Sequence, residues 1–184
     1  MASLETKYLG LSLKSPVIVG SSPLTQNVVS LEKCEEAGAG AVVLKSIFEE
    51  QIESEVSAEV EANDEYLNFS SAHNVYKRAA TDFYIDKYIK LLASAKKELS
   101  IPVIVSVCCK SLSSWSEYAE RFVENGADAV YAGGHLFNAR MKADNFRPDE
   151  LKEMIDYGHL RNVKTYIALN TLIDDNSIDR AVSY

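Results

Sequence analysis

With 184 residues, 47% hydrophobic and 25% charged, the chain has the length and composition of one globular domain and is too short for two ordinary ones. A net charge of −8 with scattered Lys and Arg argues against a nucleic-acid partner, and no apolar run approaches the roughly 18 residues that read as a membrane span. The start, Met1 to Lys7, lacks a basic segment followed by an apolar core, so no secretory signal is expected. Cys34, Cys108 and Cys109 are odd in number and two are adjacent, which makes no disulfide framework and suits a reducing, cytoplasmic setting. His73, His135 and His159 have no metal-ligand spacing, so no metal site is expected.

Short β-rich runs alternate with amphipathic ones, the pattern of successive βα units around a parallel sheet. Pro16–Ser21 is apolar and ends in small residues, which predicts a fully buried first strand. A helix is expected from about Val28 to Ala37, closed by Gly38, and then a second strand over Ala41–Ser46. From Phe48 to Glu65 the chain is dense in Glu with few large apolar residues. That stretch reads as a solvated loop with helical turns, or alternatively as a lid over the mouth of the sheet.

Ile85, Tyr88, Ile89, Leu92 and Leu99 recur at helical spacing and predict a helix over Asp82–Leu99, with Lys96 and Lys97 suited to its C-terminal end. Pro102–Val107 is the expected third strand. Ser114 and Glu117 predict a capping box for the next helix, whose apolar stripe is Trp115, Tyr118, Ala119, Phe122 and Val123, with Trp115 in the core. Ala129–Gly134 is the fourth strand. Pro148 opens a helix carrying Leu151, Met154, Ile155 and His159, Lys164–Asn170 is the fifth strand, and a last helix starts near Asp174.

Five parallel strands with no antiparallel hairpin leave two architectures. One is a partial TIM-type (βα)8 barrel, a fold that normally needs about 250 residues. The other is an open five-stranded doubly wound sheet. Either makes residues 1–184 a single α/β domain, and its open sheet edges invite homo-oligomerisation. Two joints share one phrase, Gly38-Ala39-Gly40-Ala41-Val42 and Gly126-Ala127-Asp128-Ala129-Val130, each a helix end followed by a strand start.

In both architectures ligands bind at the C-terminal ends of the strands. That selects Ser21, Ser22, Lys45, Ser46, Cys108, Cys109, His135, Asn170 and Thr171. Lys45, ending an apolar strand, must meet an anion or reach water. Cys108 and Cys109 are either a tunable thiol pair or small buried residues. His135 after Gly133-Gly134 is placed either for acid–base work or in solvent.

Leu9-Gly10-Leu11, Leu13 through Ser22, Gly38 through Ser46 and Ser100 through Ser106 together resemble the dihydroorotate dehydrogenase family, over about residues 4–128. Those are FMN-containing βα barrels that oxidise dihydroorotate in pyrimidine synthesis. The resemblance implies an FMN-dependent oxidoreductase in which Ser21 and Ser22 lie beneath the flavin ring and Lys45 and Ser46 contact it. Cys108 stands where the family has an asparagine near the flavin. A lysine near the flavin N1 side stabilises the anionic reduced ring, which gives Lys45 a physical task. The fourth strand runs into Tyr131 through Arg140 rather than the family's Asn-x-Ser-Cys-Pro-Asn segment, so no catalytic residue is carried over.

From about residue 124 onward, Gly126 through Tyr131, Gly133-Gly134, Phe137-Asn138-Ala139-Arg140, Asn145-Phe146 and Leu169 through Leu172 resemble the collagenase-like peptidase family. Its members are linked also to RNA and ubiquinone hydroxylation. The match falls on that family's N-terminal barrel segment. The two resemblances meet in a seam near residues 124–130, as a chimeric barrel would show. The chain thus reads as a flavin-dependent oxidoreductase-like protein acting on a small molecule, or as a fragment of the peptidase and RNA-hydroxylation group, or as an inactive barrel scaffold.

Overall fold

The computed structural model describes residues 3–8, 10–62, 70–109, 112–132, 152, 156, 160 and 165–167. The chain opens with an antiparallel hairpin, β1 (Thr6–Tyr8) and β2 (Leu11–Leu13), with Tyr8 opposite Leu11 and Gly10 at φ 77 in the turn. The expectation of no antiparallel hairpin is therefore corrected. Leu11 and Leu13 are buried together with Ala41, Ile104 and Ala129 against one face of the main sheet. Two alternating leucines are enough to seat a short hairpin when a sheet face lies ready to cover them.

The main sheet contains β3 (Ile18–Val19), β4 (Ala41–Val43), β5 (Ile47–Phe48), β6 (Val103–Cys108), β7 (Ala129–Ala132) and β8 (Thr165–Ile167). Its order is β3-β4-β6-β7-β8, with β5 also on β6, and every pairing in it is parallel. The expected first strand is only two residues long and half-buried, and Val17 beside it is 58% exposed. Its position explains the difference: β3 ends the described sheet and is covered by a neighbour on one side alone.

A doubly wound sheet reverses its strand order at a switch point. Here the order follows the sequence without reversal, so right-handed crossovers carry all the connecting helices to one face. The core agrees. Val42, Leu44, Val103, Val105, Val107 and Val130 pack with the helices, while Ala41, Ile104 and Ala129 face the hairpin. This is barrel-type winding, and the α/β fold is that of a partial TIM-type barrel rather than the open doubly wound alternative.

Helix α1 (Val28–Glu36) starts on Asn27, whose side chain accepts from the Ser30 N–H at 2.9 Å, and ends before Gly38 at φ 95. The acidic stretch that reads as a loop is instead α2 (Glu49–Ala62). Ile52, Val56 and Val60, spaced by four, form a single buried stripe, and that narrow face suffices to pack the helix. Helix α3 (Ser70–Glu98) begins well before the expected Asp82 and includes His73.

Helix α4 (Leu112–Glu124) corrects the expected capping box, because Ser114 lies inside the helix. Its hydroxyl donates instead to Glu49 Oε1 at 2.6 Å, tying α4 to α2. Arg121 fastens the other end, donating to Asp82 at 2.9 Å and Asp86 at 2.8 Å on α3. Trp115 and Phe122 are fully buried as expected, each contributing about 1.5–3 kcal/mol of apolar burial. Lys152, Asp156 and Leu160 are helical, in line with a helix following Pro148. The expected last helix near Asp174 lies outside the described residues. Among the described residues no helix is long and apolar enough to cross a membrane.

Candidate functional site

The pairing of β4 and β5 with β6 contains an irregularity that shapes the strand ends. Leu44, Lys45 and Ser46 separate Val43 from Ile47, whereas only Val105 and Ser106 separate their partners Ile104 and Val107. One extra residue makes a bulge, which bends the strand and re-aims its side chains. Main-chain groups freed by the bulge turn to the loop after β3. The Lys45 N–H donates to the Thr25 carbonyl at 3.1 Å, and the Ser46 N–H donates to Ser21 Oγ at 2.8 Å.

The side chains continue this link. Ser21 Oγ and Ser46 Oγ lie 2.8 Å apart, and Ser46 Oγ and Ser106 Oγ also lie 2.8 Å apart. Three hydroxyls from three successive strand regions therefore form one row. Ser106 is almost fully buried and alternates in phase with Ile104, on the inner face of the sheet. Among the described residues no histidine or carboxylate hydrogen-bonds to the row, so it is not built as an activated nucleophile.

Cys108 sits beside the row. Burial pushes its thiol up to about 11, outweighing the downward pull of the Lys45 ammonium and of a hydrogen bond with Ser46. It is a neutral thiol at neutral pH, suited to packing and weak hydrogen bonding rather than attack. Cys109, buried on the helix side, is raised further by burial, with Glu49 and Cys108 adding to the effect. Lys45 is half-buried, with Nζ 5.2 Å from the centre of the Phe48 ring. It makes no ion pair with a described carboxylate.

The structure thus brings Ser21, Lys45, Ser46 and Cys108 together. Ser22 contributes through its main chain: its N–H donates to Thr25 Oγ1 at 3.1 Å, and its carbonyl accepts from that hydroxyl at 3.0 Å. This short turn holds the carbonyl that Lys45 N–H uses. Side chains at Gly133, Gly134, His135, Asn170 and Thr171 lie outside the described residues.

Ser106, Thr25 and Tyr131 are members of this region that sequence reasoning missed. A lone serine within the apolar run of β6 was the available signal for Ser106. Tyr131 packs against the hairpin-side core, and burial pushes its hydroxyl up, with Tyr8 and Cys108 adding to the effect. From the other side, the Tyr88 hydroxyl is buried against the Ser106 main chain without a well-formed hydrogen bond.

A row of neutral hydroxyls beside an ammonium suits the polar edge of a planar heterocycle. That matches one part of FMN, its isoalloxazine ring. For the phosphate end, no glycine-rich loop lies at this end of the strands among the described residues. The fit is to the ring alone. No group of three or more His, Cys, Asp or Glu able to hold a metal ion occurs among the described residues.

Comparison with known proteins divides the chain. Residues 114–184 match peptidase family U32. An uncharacterized protease of Methanocaldococcus jannaschii is 41% identical over 58 residues, 32% of this chain and 14% of that protein. The 23S rRNA 5-hydroxycytidine synthase of Escherichia coli is 36% identical over 63 residues, 34% of this chain and 10% of that protein. The catalytic subunit of dihydroorotate dehydrogenase B (NAD(+)) from Thermoplasma acidophilum is 30% identical over 131 residues, 71% of this chain and 41% of that protein. The chain therefore spans less than half the length of each of these relatives.

Among solved structures, a candidate phosphonomutase from Burkholderia cenocepacia superposes with a TM-score of 0.50 at 12% identity, over 93% of this chain and 63% of that one. At that identity the likeness speaks for the fold alone. A match of 131 residues cannot end before residue 114, so the two sequence likenesses overlap rather than abut. The chain resembles both families, peptidase family U32 in its last part and the dihydroorotate dehydrogenases over most of its length.

Proposed function

We propose that this chain is the sheet-forming part of a hydroxylation-associated protein of the U32 group. The observation that carries this reading is the family match over residues 114–184, supported by relatives that include an rRNA 5-hydroxycytidine synthase and a tRNA hydroxylation protein from Bacillus subtilis. The net charge of −8 gives this chain little to offer RNA phosphates. In this reading the chain serves the base or a small co-substrate at its strand ends, and backbone contacts fall to other parts of such a protein. Deleting the gene in its host and measuring modified nucleosides by mass spectrometry tests it. A drop in hydroxylated nucleosides of rRNA or tRNA is expected, and unchanged levels would sink the reading.

A second reading rests on the hydroxyl row beside Lys45, together with the 131-residue likeness to a dihydroorotate dehydrogenase. Here the strand ends hold the polar edge of FMN. Ser21 and Ser46 hydrogen-bond the ring edge, buried Ser106 holds Ser46 from behind, and Lys45 faces the electron-rich side of the ring. FMN, where bound, supplies hydride-accepting chemistry, as an oxidoreductase acting on dihydroorotate would need. Titration of the purified chain with FMN, followed by flavin fluorescence, decides the matter. Saturable quenching that weakens about tenfold in Lys45→Met supports this reading, and absence of quenching removes it.

A further inference from the structure

A cleft of about 400 Å³ opens beside β5, between α2 and α3, and shares Lys45 and Ser46 with the site at the strand ends. It reaches to the helix side of the sheet, because Ile47 and Leu91 on its wall belong to or pack against the helix-side core, while Ser106 and Cys108 of the inner face do not line it. Its volume is within the range of small-molecule sites. Lys45 and Lys87 both line it, and neither makes an ion pair with a described carboxylate, although Asp and Glu outnumber Lys and Arg by 27 to 19 in the chain. Glu55 is the one carboxylate on the described wall, and it accepts from Gln51 Nε2 at 2.9 Å. The Phe48 ring, with Lys45 Nζ 5.2 Å from its centre, and Leu91 supply apolar surface to the same wall.

We propose that this lateral cleft is a binding site for a small organic carboxylate with an apolar body, its anion held by Lys45 and Lys87 and its body lying on Phe48 and Leu91. An excess of positive charge in a concave, half-apolar wall of an otherwise acidic protein selects anions by local field and rejects neutral isosteres of the same shape. Two point-charge donors on separate elements also ask for an anion small enough to lie between them. The cleft shares Lys45 with the flavin reading, and Lys87, which belongs to α3 and is no part of the hydroxyl row, is the residue that tells the two apart.

Benzoate is the probe, with benzamide as its neutral isostere and phenyl phosphate as a second anion, titrated into the purified chain by calorimetry or NMR. Benzoate binding is expected to saturate and to exceed benzamide by about tenfold, and Lys87→Met to remove that preference. Lys87 is exposed, so the variant should keep the melting temperature of the parent. Loss of benzoate binding in Lys87→Met with FMN titration unchanged separates this site from the flavin reading. Equal binding of benzoate and benzamide, benzoate affinity unaltered by Lys87→Met, or phenyl phosphate binding far more tightly than benzoate would each overturn the proposal.

Discussion

The joints at residues 36–43 and 124–131 make the same turn, and within their shared core, Gly38–Val42 and Gly126–Val130, they differ only at Gly40 and Asp128. At the first, Gly38 N–H donates to the Glu35 carbonyl and Ala39 N–H to the Cys34 carbonyl. At the second, Gly126 N–H donates to Val123 and Ala127 N–H to Phe122. Both glycines are left-handed, φ 95 and φ 93, and both joints end their helix in a Schellman motif. The next residue donates to the neighbouring strand region in each case, Gly40 to Val17 and Asp128 to Val103. Ala41 and Ala129 then face the hairpin, while Val42 and Val130 face the helices.

The third position of the phrase, Gly40 in one and Asp128 in the other, is where they part. At Gly40 an added Cβ would lie 1.9 Å from the Ser15 carbonyl oxygen, so the main chain itself fills that space. At Asp128 the space is open, and the carboxylate uses it, accepting from Lys96 Nζ at 2.6 Å and from the Val103 N–H at 2.7 Å. A shared phrase therefore specifies the turn, and the variable residue within it records what lies beneath. That is why two different family likenesses can overlap here without disturbing the backbone.

The strongest way to break the comparison is to give the first joint the second joint's residue. Gly40→Asp must displace the Ser15 main chain, and a loss of about 3 kcal/mol or more is expected in urea unfolding. A variant within about 1 kcal/mol of the parent would show that the Ser15 contact is not rigid. The reciprocal change, Asp128→Gly, meets no clash but leaves the Val103 N–H without its side-chain acceptor and adds backbone freedom. A loss of about 2 kcal/mol is expected, with faster hydrogen exchange at the Val103 amide.

Gly38→Ala and Gly126→Ala sharpen the comparison instead. Each puts a Cβ at a left-handed position and should cost about 1 kcal/mol, with the two values agreeing within a few tenths. Nothing lies within 4 Å of a Cβ at Gly38, and only the flexible Lys96 side chain approaches one at Gly126, so strain at φ is the common term. Unequal losses in the two melts would mean that the difference between the joints goes beyond Gly40 and Asp128.

The joints were legible in the sequence because their signals are local: a glycine just past a helix, then β-branched residues. The burial of Trp115 was legible for a similar reason, its apolar stripe having helical spacing. Helix α2 was not, since one residue in four carries its buried face and much of the rest is glutamate. The hairpin was hidden because β1 is wholly exposed and β2 offers only two leucines. At the site, Lys45 and Ser46 stood out at the end of an apolar strand. The bulge that turns Ser46 toward Ser21 and Ser106 was invisible, because it is a mismatch in register between two strands 60 residues apart.

The smallest expected effect concerns how each joint is tethered to its surroundings. The second uses Asp128 within the phrase; the first uses Glu35 at the end of α1, which accepts from Lys14 at 3.1 Å and from the main-chain and side-chain groups of Ser100. Burial pushes the Glu35 carboxyl up, but the Ser100 hydroxyl, Lys14 and the Ser100 N–H together hold it below the ordinary value of 4.5. A carboxyl depressed by folding adds stability above its unfolded value, and that contribution disappears as pH falls through the folded one. Glu35→Gln should therefore melt below the parent at pH 7, and the gap should close progressively as pH drops beneath 4.5. A gap of constant size across that range would mean that Glu35 acts by shape and neutral hydrogen bonding alone, leaving Asp128 as the charged tether whose loss the first joint does not mirror.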